Sequence, residues 1–572
     1  MKHFKFLFFC TVQILLLLPC LNLQAQVDNS TKELNSLESR IDSIFTQFDD
    51  SNKPGASVAV VKNGAIVFKK GYGSANLEYN IPNTPSTIFH IASISKQFTV
   101  FSILLLADQG KLTLDDDIRM YIPEVPNFGK TITLRHLATH TSGLRDQWSL
   151  LAMSGTRLDD VITKEHILKL VANQKELNFE PGEAYLYCNT GFTLLAEVVS
   201  RVSGQSFAEF TKSKIFEPLK MSKTLFYDDH EKIVKNRAYS YYSDKNEYKK
   251  KVLSYANVGA TSLFTTVEDL SLWALNFSTP KVGNIDIINQ MNTLAILNNG
   301  QTFGGAYGQF VRKYKGLNQI QHGGADAGYR SYLGRFPDQD FSIIVLSNYA
   351  QSRAGSLALK IADLFLQEEI IPALPYDEKK GKKFKKLKGK KLKIFSGHYW
   401  NHKGFYSRKI YVKSDTLRYS RGTGNESSLA PINNNTFQML DAGIDLKTKF
   451  EYINKKQVMT VTVNDVDPDV FESYTPANYS KEELLQFTGT FYSKELSTSY
   501  TFIIKEGMLI AEHARSGDIR LAPIKQDMFS GTSWFFRNIK FERDAKNNII
   551  GIKVSSSRVK DLYFEKTTDK HL

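Results

Sequence analysis

Cysteine is scarce in this chain. Cys10, Cys20 and Cys188 are the only three in 572 residues, and the first two lie in a segment expected to be removed, so no internal disulfide framework is available. Stability has to come from core size, and Cys188 reads as a packing residue. Long apolar runs are also missing: beyond residue 25 nothing approaches the roughly 20 residues that span a bilayer. After Lys393 no group of His, Cys and carboxylate side chains has metal-ligand spacing, and neither metal nor cofactor is expected.

A basic surface is missing too, despite a formal charge of +14. Ten lysines between Lys379 and Lys393 form one run, which leaves +4 for everything else. A nearly balanced remainder offers no basic groove, so nucleic acid is not an expected partner. The run reads as a solvated linker over residues 375–393, with weak affinity for anionic envelope polymers as its one expected contact.

The chain opens with Lys2 and Lys5, an apolar stretch from Phe6 to Leu18, and Leu23-Gln24-Ala25. This is the pattern of a secretory signal peptide over residues 1–25, cleaved after the small Ala25. Gln13, Pro19 and Asn22 interrupt the run and argue against a membrane anchor. Pro19 argues against lipid attachment at Cys20. The expected location is therefore the periplasm or the exterior, with no integral membrane segment in the mature protein.

So long a chain exceeds a single hydrophobic core. Between residues 26 and 374, a polar helix over Leu34–Phe48 precedes two β-rich runs, Ala56–Val61 and Ala65–Lys69, joined by the hairpin signal Asn63-Gly64. The pattern from Ser93 to Phe277 is helical and loop-rich. Strand signals return at Tyr307–Val311, Gln319–His322, Tyr329–Phe336 and Phe341–Leu346, before a helix over Gly355–Leu366. The expected class is α+β: an antiparallel sheet flanked by helices, with an inserted helical region and a cleft where the two meet. Beyond the lysines the chain repeats. Phe395-Ser396-Gly397 matches Phe487-Thr488-Gly489 and Leu429-Ala430-Pro431 matches Leu521-Ala522-Pro523, both at an offset of 92. Two copies of one all-β unit, residues 394–480 and 481–572, are expected either as two small barrels or as one sandwich of duplicated halves.

The chemistry centres on Ser93-Ile94-Ser95-Lys96, directly ahead of the apolar run Phe98–Leu106. A helix beginning here puts Lys96 one turn from Ser93 on the same face, and its positive end favours the oxyanion formed when the serine attacks a carbonyl. Lys96 acts as a base only if burial depresses its pKa. Ser-x-x-Lys is weak alone, since Ser557 to Lys560 repeats it in the β tail by accident. Its companions are specific. Tyr187-Cys188-Asn189 follows Pro181-Gly182-Glu183, and His322-Gly323-Gly324 ends a strand run where glycines permit close backbone approach.

These three elements, with the stretch from Thr133 to Leu144, resemble the serine β-lactamase and penicillin-binding protein superfamily. The nearest branch holds class C β-lactamases, D-aminopeptidases, esterases and DD-carboxypeptidases, and the resemblance covers about residues 37–366. It implies a Ser93 acyl-enzyme, Lys96 and Tyr187 sharing acid and base work, and Asn189 holding the substrate. It also implies a substrate-binding strand of His322, Gly323, Gly324 and Ala325, with an oxyanion hole from the N–H groups of Ser93 and Ala325. His322 stands where many relatives carry lysine. A mostly neutral histidine cannot grip a substrate carboxylate, so a small ester, amide or peptide is favoured over penicillin. Arg135, His136 and His140 read as structural braces. The competing reading is a catalytically silent envelope or glycan binding protein on the same fold.

Overall fold

The structure, a computed structural model, describes residues 36–371, 383–387, 389–422, 424–442, 444–463 and 468–567. The leader expected over residues 1–25 lies outside the described residues, as do Lys379, Lys380, Lys382 and Lys388.

A six-stranded sheet is built from the two ends of the first domain. In spatial order its strands are Phe310–Tyr314, Leu317–Asp326, Tyr329–Phe336, Phe341–Ser347, Ala56–Lys62 and Ala65–Tyr72. All neighbours are antiparallel, and the early and late segments join where Ala56 pairs with Ser347 and Lys62 with Phe341. Asn63 and Gly64 both take positive φ, 51° and 76°, which gives the hairpin its compatible twist. The edge strand starts three residues later than Tyr307, because Gly304 and Gly308 hold the preceding segment in turns with positive φ.

The central strands are buried on both faces. On one side Val58, Val60, Ile343 and Val345 meet Ile41 of the helix at 36–44, Phe45 directly after it, and Ile361 of helix Ala354–Phe365. On the other, Ala59, Ile344 and Leu346 meet the inserted helical region through Phe98 and Trp273. Helix Ser95–Asp108 is apolar almost all round and buried between these layers, as such a helix must be. Its N-terminus therefore opens at the seam between sheet and helical region.

The C-terminal region forms two closed eight-stranded barrels, which settles the choice left open by the repeat. Strands Gly397–Asn401 and Gly489–Ser493 begin the two copies, and each closes on its own last strand, Asp469–Tyr474 and Leu562–Thr567. The second barrel is fastened to the helical region. Leu150 and Met153 of helix Gln147–Met153 enter its core beside Tyr500 and Phe536. Arg145 and Glu495, both buried, pair at 2.6 Å, and the Tyr500 hydroxyl donates to the Met153 carbonyl at 2.9 Å. No helix among the described residues is long and apolar enough to cross a membrane.

Candidate active site

Ser93 sits in the tight turn Ala92–Ile94, which runs into helix Ser95–Asp108. Ala92 is held at φ 50°, a left-handed conformation that disfavours a side chain by roughly 1–3 kcal/mol. Surrounding bonds impose it. Ala92 N–H donates to His90 Nδ1 at 3.2 Å, Ser95 Oγ donates to the Ala92 carbonyl at 2.6 Å, and Ser331 Oγ donates to the Ile91 carbonyl at 2.7 Å. Gly324 packs on this turn so closely that a Cβ would overlap the Ile91 carbonyl and Ser331 Oγ. Gly324, which also lines the cavity beside Ser93, thus permits close approach of the nucleophile's own turn; Gly323, next to it, has ordinary room.

Lys96 is fully buried. Its Nζ lies 3.2 Å from Ser93 Oγ, 2.8 Å from Asn189 Oδ1 and 2.7 Å from the Ala260 carbonyl. It also stands 4.9 Å from the centre of the Tyr187 ring. Burial drives its pKa down to about 7, with Asp326 opposing and Arg558 assisting. A neutral amine has two N–H bonds and one lone pair. The Asn189 and Ala260 oxygens take the two donors, which leaves the lone pair for Ser93.

Tyr187 is pushed above its ordinary pKa by burial, with the Ser93 hydroxyl beside it pulling the other way. Its ring stacks on His140 at 4.2 Å, and His140 Nδ1 accepts the Cys188 N–H at 3.0 Å. His140 thus braces the tyrosine, while Arg135 pairs with Asp115 at 2.7 Å and His136 completes the capping box of helix Leu134–Ala138. Cys188 is buried, and burial raises its thiol to about 12, out of range of nucleophilic chemistry.

Asn189 is the first residue of helix Asn189–Ser203. Both ends of its amide are already used: Oδ1 faces Lys96, and Nδ2 donates to Asp146 Oδ2 at 2.8 Å. The arrangement suits it to orienting the lysine rather than holding a substrate. His322 is buried, and burial holds its pKa down at about 3. Its Nδ1 lies 2.6 Å from the Gly323 carbonyl. Ala325 is exposed at the mouth of a cavity of about 580 Å³ that Ser93, Tyr187, Asn189, His322 and Gly323 also line.

Residues 41–365 match the Beta-lactamase family. The chain belongs to the beta-lactamase family. Within it, a D-aminopeptidase of Gluconobacter oxydans is 28% identical over 297 residues, 52% of this chain and 56% of that one. A D-aminopeptidase of Brucella anthropi is 26% identical over 338 residues, 58% and 63% respectively. This chain thus spans little more than half the length of these relatives. The octameric penicillin-binding protein homologue from Pyrococcus abyssi superposes with a TM-score of 0.52 at 25% identity, covering 76% of this chain and 99% of its own. That coverage exceeds what residues 41–365 alone supply. The SurE structure, at 18% identity and TM-score 0.53, shares the fold.

Three site residues of this beta-lactamase family member were not singled out from sequence. Asp146, buried, accepts both the backbone and the amide N–H of Asn189. Asp326, at the end of the His322 strand, bonds the Thr261 hydroxyl and has its pKa raised by burial. Arg558 arrives from the second barrel, on the loop carrying the accidental Ser557-to-Lys560 pair. Asp146 and Asp326 adjoin recognised motifs, a signal that was available; Arg558 had none.

Proposed function

We propose that this protein is an exported serine hydrolase that forms an acyl-enzyme at Ser93 and cleaves a small ester, amide or peptide. The observation that carries this reading is the 3.2 Å contact between Ser93 Oγ and a buried Lys96 amine whose other partners are both acceptors. Ser93 Oγ attacks the carbonyl carbon as its proton passes to the Lys96 lone pair. The geometry suits Lys96 to the base role and the Tyr187 phenol, kept protonated by its raised pKa, to donating a proton to the leaving group. The Ser93 and Ala325 N–H groups are assigned to the oxyanion. The C–O or C–N bond then breaks, and water, activated by the same groups, releases the acid and restores Ser93. The D-aminopeptidase relatives favour an amide or peptide within this class.

A silent binding protein has no need of a lysine buried at this cost in desolvation. The test is to compare hydrolysis of p-nitrophenyl esters, D-alanyl amides and nitrocefin by the wild type and Ser93→Ala. Turnover of at least one ester or amide, lost by several orders of magnitude in Ser93→Ala, is expected. Turnover unaffected by the substitution contradicts the proposal. Export belongs to the same proposal and rests on residues 1–25; N-terminal sequencing of protein recovered outside the cytoplasm should begin at Gln26.

A further inference from the structure

The strand Leu317–Asp326, which carries His322-Gly323-Gly324, provides no fixed positive charge, yet the cavity beside Ser93 is strongly cationic. Arg312, Arg330, Arg353 and Arg558 line it, against one carboxylate, Asp326. Burial raises the pKa of that carboxylate, which weakens its negative contribution further.

Arg558 differs from the other three in its origin. It lies between barrel strands Ile549–Ser555 and Leu562–Thr567, and its loop is anchored on both sides. Val559 is buried in the barrel core. Toward the first domain, the Arg558 carbonyl accepts the Asp146 N–H at 3.3 Å and the Asn178 amide at 3.1 Å, while the Lys560 N–H donates to Asn178 Oδ1 at 2.8 Å. The backbone is fixed; the side chain reaches over the Tyr187 ring, guanidinium carbon 4.7 Å from its centre.

That guanidinium has no hydrogen-bonded acceptor among the described residues. Its nearest carboxylate oxygen, Asp146 Oδ2, is 3.9 Å away and is already bonded twice by Asn189. The side chain remains 38% exposed, open to the cavity. A planar fork of N–H donors, held at a cleft with no hydrogen-bonded acceptor of its own, matches a carboxylate in shape and charge.

The geometry points to Arg558 as a specificity-determining residue that receives a carboxylate of the substrate, so that the second barrel completes the active site of the first domain. The substrate class narrows accordingly to esters, amides or peptides bearing a carboxylate near the scissile bond. The charge absent at His322 is supplied from the far end of the chain. This inference rests on the acyl-hydrolase reading above and adds to it the substrate's charge.

The experiment measures kcat/KM for two substrate pairs, each an acid and its methyl ester. One pair is p-nitrophenyl hydrogen succinate and its methyl ester, with the carboxylate on the acyl side. The other is hippuryl phenyllactate and its methyl ester, with the carboxylate on the leaving side. The wild type should prefer the acid in at least one pair by roughly ten- to hundredfold, the range for a hydrogen bond to a charged group. The preference should shrink as salt rises. Arg558→Gln should bring the ratio close to one, and Arg558→Lys should retain part of it. Because the readout is a ratio within one protein, partial unfolding of a variant does not mimic the effect, and the salt dependence of the wild type is independent of any variant. Ratios near one in both wild-type pairs, or a preference that survives Arg558→Gln, overturn the carboxylate assignment. Those outcomes leave the hydrolase reading standing so long as the neutral esters are cleaved in a Ser93-dependent way; if no substrate is, that reading fails first.

Discussion

The Lys96 amine and the Asn189 amide oxygen meet at 2.8 Å, and Asn189 is in turn pinned by Asp146 through two bonds of 2.7 and 2.8 Å. The lysine is thus aimed by a relay of two residues rather than by its own flexible stem. Asn189→Ala should lower kcat by roughly 10²-fold or more, the low end of what a general base contributes, with KM changed little. Asp146→Ala should act in the same direction. A change confined to KM would instead show that Asn189 holds the substrate.

The pH profile follows from the buried lysine. Lys96 titrates at about 7, below its ordinary 10.5, because burial disfavours the ammonium. Below that pH all three Nζ hydrogens are present and no lone pair faces Ser93. Initial-rate measurements should therefore show kcat/KM rising with pH through about 7 and levelling off above it. A profile flat from pH 5 to 9 would exclude Lys96 as the base.

Gly324 and Gly323 make a paired test of packing. A Cβ at 324 meets the Ile91 carbonyl and Ser331 Oγ, whereas one at 323 finds ordinary contacts of 3.7 and 3.9 Å. Gly324→Ala should cost about 1–3 kcal/mol in denaturant unfolding, as overpacking does. Gly323→Ala should lie within about 0.5 kcal/mol of wild type. Equal effects would contradict the close approach of strand and nucleophile turn.

The buried pair Arg145 and Glu495 joins the first domain to the second barrel. Glu495→Ala leaves the buried Arg145 with only the more distant and exposed Glu176 carboxylate, at 3.7 Å, and breaking such a buried pair costs about 3–5 kcal/mol. Urea unfolding followed by tryptophan fluorescence should show the loss. A loss under about 1 kcal/mol would indicate an ordinary surface pair. For the same reason, removal of the barrels is not a neutral truncation: it strips Leu150, Met153 and Arg145 of their cover.

Much of this architecture could be read locally. The Asn63-Gly64 hairpin, the alternation in the late strands and the one-turn spacing of Ser93 and Lys96 depend on near neighbours, and local geometry carried them through. The offset of 92 survived as strand register, with Leu417 pairing with Leu429 just as Leu509 pairs with Leu521. What could not be read depends on contacts between segments distant in sequence. Whether two β units close separately depends on which edge each last strand meets. The roles of Asp146 and Asn189 emerge only when helices Gln147–Met153 and Asn189–Ser203 lie together. Arg558 left no trace because nothing in a barrel loop records the cleft it will face.

The central claim is that Ser93 is the nucleophile of a built site. Intact-mass and peptide mass spectrometry after treatment with a fluorophosphonate tests it most directly. One covalent adduct is expected, located on Ser93, abolished by prior unfolding and strongly slowed in Lys96→Ala. An unmodified Ser93 in folded, wild-type protein, or labelling at the same rate without Lys96, would contradict it.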